Sequence, residues 1–207
     1  MTTLVKICGI TRLEDGLVAA RAGAHAIGLV FYAGSPRHVT PARAGEIIRA
    51  IPSFVTSVGL FVNASAAEVR SVLAEAPVEL LQFHGEETPG FCRQFGRPFV
   101  KAVRVGPGVD LLQYARDYRD AQALLLDAFV EGLQGGSGVT FDWNLIPRDL
   151  ALPVILSGGL TAENVTEAVR RVRPLAVDVS SGVESTRGIK DASKIAAFMK
   201  GVRDADV

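Results

Sequence analysis
Leu4-Val5-Lys6-Ile7-Cys8-Gly9-Ile10-Thr11 is a short apolar strand that carries a cysteine to its end, breaks at glycine and gives way to a helical pattern. A strand tip followed by a tight turn is where a parallel α/β sheet shows side chains to a ligand, because the sheet fixes their spacing and the loop holds them. Cys8 is therefore the first candidate for chemistry, weighed against the plainer reading of a cysteine as a small buried hydrophobe. Whether the strand–turn–helix unit repeats decides between them.

The unit repeats along the whole chain. Arg12 to Ala22 has one apolar and one charged face at helical spacing, and Ala26-Ile27-Gly28-Leu29-Val30-Phe31 is a continuous apolar run of strand length. Gly34-Ser35-Pro36-Arg37-His38 is a loop, after which Thr40 caps a helix and Pro41 opens it. Phe54 to Val62 reads as a third strand, Asn63 or Ser65 as the cap of a helix through Val69 and Val72, and Leu80 to Phe83 as a fourth strand with Gln82 and His84 at its end. Thr88 to Phe95 reads as a helix, Phe99 to Val103 as a strand, Leu111 to Tyr118 as a helix, and Ala123 to Leu126 as a sixth strand that ends in Asp127. Phe129 to Phe141 holds Gly132, Gly135, Gly136 and Gly138 and reads as a loop able to close over a site, with a short helix around Trp143. Pro153 to Leu156 is the seventh strand, followed by Ser157-Gly158-Gly159-Leu160 and a helix capped by Thr161. Leu175 to Val179 is the eighth, leading into Ser180-Ser181-Gly182 and a last helix from Asp191 to Val202.

Eight such units in 207 residues are short for a (β/α)8 barrel, which more often takes about 250, but compatible with it. A doubly wound open sheet is the alternative with the same local pattern. One domain spanning residues 1–207 is the simplest count for a chain with 48% apolar content. Twenty-two basic residues balance twenty-two acidic ones and no basic run appears, so a nucleic-acid footprint is not indicated and a small partner is expected. The two cysteines, Cys8 and Cys92, lack CxxC spacing or a histidine cluster, which argues against a disulfide framework and a zinc site. Without a signal-peptide pattern or an apolar run of roughly 18 residues, a cytoplasmic protein with no membrane span is expected.

In a barrel, the C-terminal ends of all eight strands converge on one mouth. Cys8, Arg37, Gln82, His84, Asp127, Gly158 and Ser181 would then share one pocket. The turns Ser157-Gly158-Gly159 and Ser180-Ser181-Gly182 fall after strands seven and eight, the usual phosphate position of this fold, where glycine lets backbone N–H groups approach an anion. Read alone, Arg37 could equally be a solvated loop arginine, Asp127 a helix cap and His84 a core histidine satisfied by carbonyls. Cys92, between Phe91 and Phe95, reads as packing; His25 and His38 carry no ligand pattern.

The segments Lys6-Ile7-Cys8-Gly9-Ile10, Ser35-Pro36-Arg37, Gln82-Phe83-His84-Gly85, Leu126-Asp127, Leu156-Ser157-Gly158-Gly159-Leu160 and Asp178-Val179-Ser180-Ser181-Gly182-Val183-Glu184 stand in one order from end to end. Together they resemble the phosphoribosylanthranilate isomerases of tryptophan biosynthesis. The resemblance implies a (β/α)8 barrel that converts N-(5′-phosphoribosyl)anthranilate to 1-(2-carboxyphenylamino)-1-deoxyribulose 5-phosphate with no metal and no organic cofactor. It implies Cys8 as general base, Asp127 as general acid and Arg37 as a substrate-binding arginine. Gln82, His84, Gly158, Gly159, Asp178, Ser180, Ser181 and Gly182 are expected to bind the phosphorylated substrate. A lyase or synthase barrel acting on a related sugar phosphate, or a barrel that only binds a phosphorylated metabolite, are the alternatives. The first typically has lysine and glutamate where this chain has Cys8 and Asp127. The assembly is expected to be a monomer or a homodimer.

An aminoaldose becomes an aminoketose when an acid protonates the ring oxygen, the ring opens, and a base removes the proton on C2′. A thiol with an ordinary pKa near 8.5 is mostly protonated at neutral pH, so Cys8 needs nearby positive charge to serve as base. Lys6 is a poor source of it, because sharing a face with Cys8 would place an ammonium inside the barrel, one layer below. Asp127 needs the opposite help, from desolvation. A planar guanidinium at Arg37 can grip the anthranilate carboxylate at two points.

Overall fold
The computed structural model describes residues 2–128 and 140–205. Eight strands form a closed parallel barrel in sequence order: β1 (Leu4–Ile7), β2 (Ala26–Val30), β3 (Thr56–Phe61), β4 (Leu80–Phe83), β5 (Phe99–Val105), β6 (Leu124–Ala128), β7 (Val154–Leu156) and β8 (Ala176–Val179). Closure is made by β1 against β8 with Leu4 opposite Ala176 and Lys6 opposite Asp178, which excludes the open doubly wound sheet. Around the outside run α1 (Leu13–Arg21), α2 (Pro41–Ala50), α3 (Ala66–Glu75), α4 (Pro89–Arg93), α5 (Leu111–Asp117), α6 (Val165–Val172) and α7 (Ala192–Ala205). A 3₁₀ turn at Trp143–Leu145 stands where the short helix is expected. The glycine-rich stretch Gly132 to Gly138, read as a closing loop, lies outside the described residues. Among the described residues no helix is long and apolar enough to cross a membrane.

Side chains alternate between the two faces of each strand, so residues two apart point the same way. Val5, Ile7, Ile27, Leu29, Leu124, Leu126 and Val177 face outward into the large apolar layer beneath the helices. Val100, Ala102, Ala123, Leu125, Ile155 and Ala176 form a second, smaller cluster inside the barrel. Two residues further along the same inner faces the chemistry changes: Gln82 follows Leu80, Asp127 follows Leu125, Ser157 follows Ile155 and Asp178 follows Ala176, and all four line the cavity at the mouth. Each fully buried Leu or Ile contributes about 1.5–3 kcal/mol. The polar groups thus stand on a floor held rigid by packing.

Local signals and structure differ in several places. Thr40 caps α2, accepting from the Arg43 N–H at 3.2 Å with Pro41 in the first turn. Ser65, not Asn63, caps α3 through a reciprocal pair with Glu68, while Asn63 takes a left-handed conformation at φ 52°. Strand β3 starts at Thr56 because Phe54, expected inside it, sits fully exposed in the preceding turn. The Thr88–Phe95 helix shrinks to Pro89–Arg93. Helix α6 begins after Asn164 rather than being capped by Thr161: the Asn164 Oδ1 accepts from Thr161 N, and its Nδ2 donates to Gly159 O. That bond ties the helix start to the turn after β7. Between β8 and α7 a hairpin, β9 (Glu184–Thr186) with β10 (Ile189–Lys190), stands where the reading has only a loop.

One buried ion pair fixes the loops after β3 and β4. Lys101 Nζ lies 3.2 Å from Glu87 Oε2 and also donates to the carbonyls of Phe83 and Gly85. Glu87 in turn accepts from Asn63 N at 2.7 Å and Gly85 N at 2.9 Å. His84 sits between these anchored residues.

Candidate active site
Cys8 directly follows β1, its N–H donating to Val179 O at 2.8 Å, and is buried. The neighbouring β2 position must be glycine: a Cβ on Gly28 would stand 2.7 Å from the Cys8 sulfur and 3.1 Å from Lys6 Cε. Lys6 does lie inside the barrel, contrary to its reading as a poor source of charge. It is tolerated there because the β1–β8 register sets it opposite Asp178, with Nζ 2.8 Å from Oδ1. Ser157 Oγ reaches the second Asp178 oxygen at 3.3 Å. Burial works against the Lys6 charge, but Asp178 and then Cys8 outweigh it and raise its pKa. For Cys8 itself burial dominates and pushes the thiol up; Lys6 pulls it down, Asp178 pushes it up, and Lys190 pulls it down more weakly. The cations are present, and desolvation still wins.

Arg37 is held over Gly9, whose φ of 74° leaves no room for a side chain: a Cβ there would collide with Arg37 Cδ. The guanidinium is paired at two points with buried Glu184, Nε to Oε1 at 2.7 Å and Nη2 to Oε2 at 2.8 Å. A guanidinium has five donors, so this grip leaves the Nη1–Nη2 edge for a second carboxylate. The bonds to Glu184 raise the Arg37 pKa, overcoming burial. Lys190 Nζ completes the cluster, 2.9 Å from Glu184 Oε1 and donating to Ser180 O at 3.0 Å, while burial lowers its own pKa. Glu184 stays low despite burial, through Arg37 and Lys190.

Across the mouth, Asp127 near the end of β6 is buried, its Oδ1 accepting from Ala128 N at 2.9 Å and its Oδ2 lying 3.2 Å from His84 Nε2. His84 Nδ1 is 3.0 Å from the Gln82 amide nitrogen. The turn after β7 carries left-handed Gly158 (φ 85°) and Gly159 (φ 63°). A Cβ on Gly158 would stand 2.5 Å from Ala128 N and 2.9 Å from Asp127 Oδ1, so this glycine is what lets the turn pack against the aspartate. Gly158→Ala is expected to cost about 1–2 kcal/mol of stability from the left-handed backbone alone, and turnover as well by displacing Asp127. Thermal melts and steady-state rates on the variant check both.

One open cavity at the mouth is lined by Cys8, Arg37, Gln82, His84, Asp127, Gly158, Gly159, Asp178, Ser180 and Ser181. Gly182 does not line it. Its Cα packs against Leu160 O, so it braces the turn after β8 against the turn after β7 from behind. The reading of the sequence missed three contributors. Glu184 holds Arg37 and Lys190 holds Glu184, and their signal was the acid at the end of the Val179-Ser180-Ser181-Gly182-Val183-Glu184 run. An apolar wall of Val30 and Leu60 on β2 and β3, with Tyr32 and Val62 just after them, gave no separate signal, since it reads as ordinary strand.

Comparison with known proteins matches this geometry. Residues 5–201 fit the family model described as N-(5'phosphoribosyl)anthranilate (PRA) isomerase. N-(5'-phosphoribosyl)anthranilate isomerases from Nitrosospira multiformis and Dechloromonas aromatica are each 58% identical, over 98% and 100% of this chain and 97% and 99% of theirs. Among solved structures, phosphoribosyl anthranilate isomerase from Thermotoga maritima superposes with a TM-score of 0.90 at 42% identity, covering 98% of this chain and 99% of its own. A phosphoribosyl anthranilate isomerase in complex with reduced 1-(o-carboxyphenylamino)-1-deoxyribulose 5-phosphate gives a TM-score of 0.87 at 41% identity, with 98% and 99% covered. With the barrel, the cavity at its mouth and the full-length match in agreement, the chain belongs to the N-(5'-phosphoribosyl)anthranilate isomerase family, enzymes of tryptophan biosynthesis.

Proposed function
We propose that the isomerisation runs across this cavity with Cys8 as base and Asp127 as acid. The observation that carries the reading is their placement on opposite sides of one mouth, with Arg37 and the two glycine-bearing turns between them round the rim. The anthranilate ring lies on the apolar wall of β2 and β3 with its carboxylate on the open edge of Arg37. The phosphate lies at Gly158, Gly159, Ser180 and Ser181, and the ribose spans the middle. Asp127 gives a proton to the ring oxygen and the ring opens to an iminium. Cys8 then takes the proton from C2′, and the enolamine tautomerises to the ketone. Lys6 and Asp178 orient the sulfur from below. Single-turnover loss of substrate fluorescence tests the proton abstraction: substrate deuterated at C2′ reacts more slowly than the protiated form. Equal rates for the two forms contradict it.

Residues 1–207 act as one barrel unit in this reading, and a base that must remain a free thiol suits a reducing compartment, the cytoplasm. Both cysteines are free and buried. We infer that the working form is a homodimer joined at the N-terminal ends of the strands. Phe54 is 100% exposed there, close in sequence to the start of β3, and Leu4 and Leu175 at the starts of β1 and β8 are also exposed. One Thermotoga maritima relative, 40% identical, is described as a dimeric phosphoribosylanthranilate isomerase from which monomers were generated. An exposed aromatic of this size fits an interface core. Phe54→Asp is expected to leave a folded monomer, read as a halved mass by light scattering. A dimer that persists in the variant, or a monomeric wild type, contradicts it.

A further inference from the structure
Lys190 ends β10 and stands in register with Glu184 at the start of β9, so the hairpin itself sets this lysine beside the acid that grips Arg37. Its backbone N–H donates to Asp15 Oδ2 on α1 at 3.0 Å, which pins the hairpin to the barrel. The side chain is 1% exposed, with Nζ 2.9 Å from Glu184 Oε1 and donating to Ser180 O at 3.0 Å and Ser180 Oγ at 3.4 Å. Arg37 and Lys190 therefore share one buried carboxylate, and among the described residues no second acid pairs with either. A buried ammonium is costly unless paired, and the bidentate grip of Glu184 on Arg37 is already a complete ion pair. Two cations on one buried acid leave a charge to be matched from outside.

The cavity fixes where that charge is felt. With Lys190 protonated, the three side chains carry one net positive charge. Arg37 lines the mouth, while Glu184 and Lys190 stand behind it, outside the lining. Arg37 and Glu184 alone would be a neutral pair. A substrate carboxylate on the open edge of Arg37 would then meet a guanidinium already matched, with Glu184 repelling it from the other edge. Lys190 cancels Glu184 and leaves the Arg37 charge free. In a buried cluster such a term is strong, because the effective dielectric is well below that of water and Coulomb energy falls only as the inverse of distance.

We propose that Lys190 is a positioning residue that sets the carboxylate specificity of the mouth: acting through Glu184, it keeps the full charge of Arg37 available to the anthranilate carboxylate without touching the substrate. This rests on Arg37 being the group that holds that carboxylate. The bond from Lys190 to Ser180 O also braces the turn assigned to the phosphate, but that effect is the same for any ligand with the phosphate, whatever its ring carries.

Two ligands separate the two effects: 1-(2-carboxyphenylamino)-1-deoxyribulose 5-phosphate reduced at its ketone, and the same compound with a plain phenyl ring. Calorimetry gives the ratio of their affinities, which is the discrimination for the carboxylate. Lys190→Gln, which can still donate but has no charge, is expected to lower that ratio by at least about tenfold, mostly through weaker binding of the carboxylated ligand. Lys190→Gln with Glu184→Gln restores the net charge on Arg37 and is expected to regain most of the ratio. Glu184→Gln alone, which keeps Lys190, is expected to discriminate more strongly than the double variant, so the Lys190 charge is read in a second background should one single variant fail to fold. Equal losses for the two ligands in Lys190→Gln, a double variant no better than Lys190→Gln, or a Glu184→Gln no better than the double variant overturns the proposal. Arg37→Met, measured alongside, separates the two levels: an unchanged ratio there removes the carboxylate assignment itself, whereas a lowered ratio there with an unchanged one in Lys190→Gln removes only the role of Lys190.

Discussion
Cys8→Ala is expected to lower kcat by roughly 10²–10⁴-fold, the usual contribution of a positioned base. The barrel survives the change. Cys8 packs with Val30 and Leu60 at the rim rather than in the main core, and removing one sulfur costs about 1 kcal/mol. Phosphate and carboxylate binding should persist, because neither is assigned to the sulfur, so a product analogue binds the variant with nearly wild-type affinity. Loss of both binding and turnover would instead mean that Cys8 shapes the pocket. The pH profile carries a second signature. Burial raises the Cys8 pKa, ahead of the opposing pull of Lys6, and a base works only when deprotonated. Wild-type kcat/KM therefore climbs with pH from neutrality into the alkaline range, about tenfold per unit while thiolate is the minor form. A profile already flat below neutrality contradicts a buried, neutral resting thiol.

Asp127→Asn is expected to cause a fall of similar size, roughly 10²–10⁴-fold in kcat. The amide is nearly the same shape, and its oxygen can keep the bond from Ala128 N, so the turn of Gly158 stays packed against it. What is lost is the proton. Melting temperature and KM should change little, and the deficit should lie almost wholly in kcat, the mark of an interaction made in the transition state alone. A variant with normal kcat and a raised KM would place Asp127 among the binding groups.

Much of this site could be read before the fold was known, and the reason is geometric. Strand tips in a parallel barrel point to one mouth, so Cys8 and Asp127 meet on one cavity although they lie far apart in the chain. What escaped the reading depends on closure. Lys6 looked too costly inside the barrel because its counter-charge, Asp178, lies 172 residues away and is set opposite it only by the β1–β8 register. Glu184 reaches Arg37, and Lys190 reaches Glu184, through a short hairpin that periodicity does not reveal. Phe54 resembled the first residue of a strand by hydrophobicity alone, and only its full exposure shows that it belongs to the end of the barrel rather than its wall. Thr161 lost the cap to Asn164 because the asparagine satisfies Thr161 N and Gly159 O together. Gly182 was placed in the pocket by its company in the motif, yet its lack of a side chain serves the contact with Leu160.

The most direct test is the loss of anthranilate-type fluorescence from freshly generated N-(5′-phosphoribosyl)anthranilate, followed for the wild type, Cys8→Ala and Asp127→Asn side by side. The acid–base pair across the mouth predicts rapid decay with the wild type and a rate lowered by at least about 10²-fold in each folded variant. A wild-type rate in either variant would contradict it, because the chemistry would then be carried by another group.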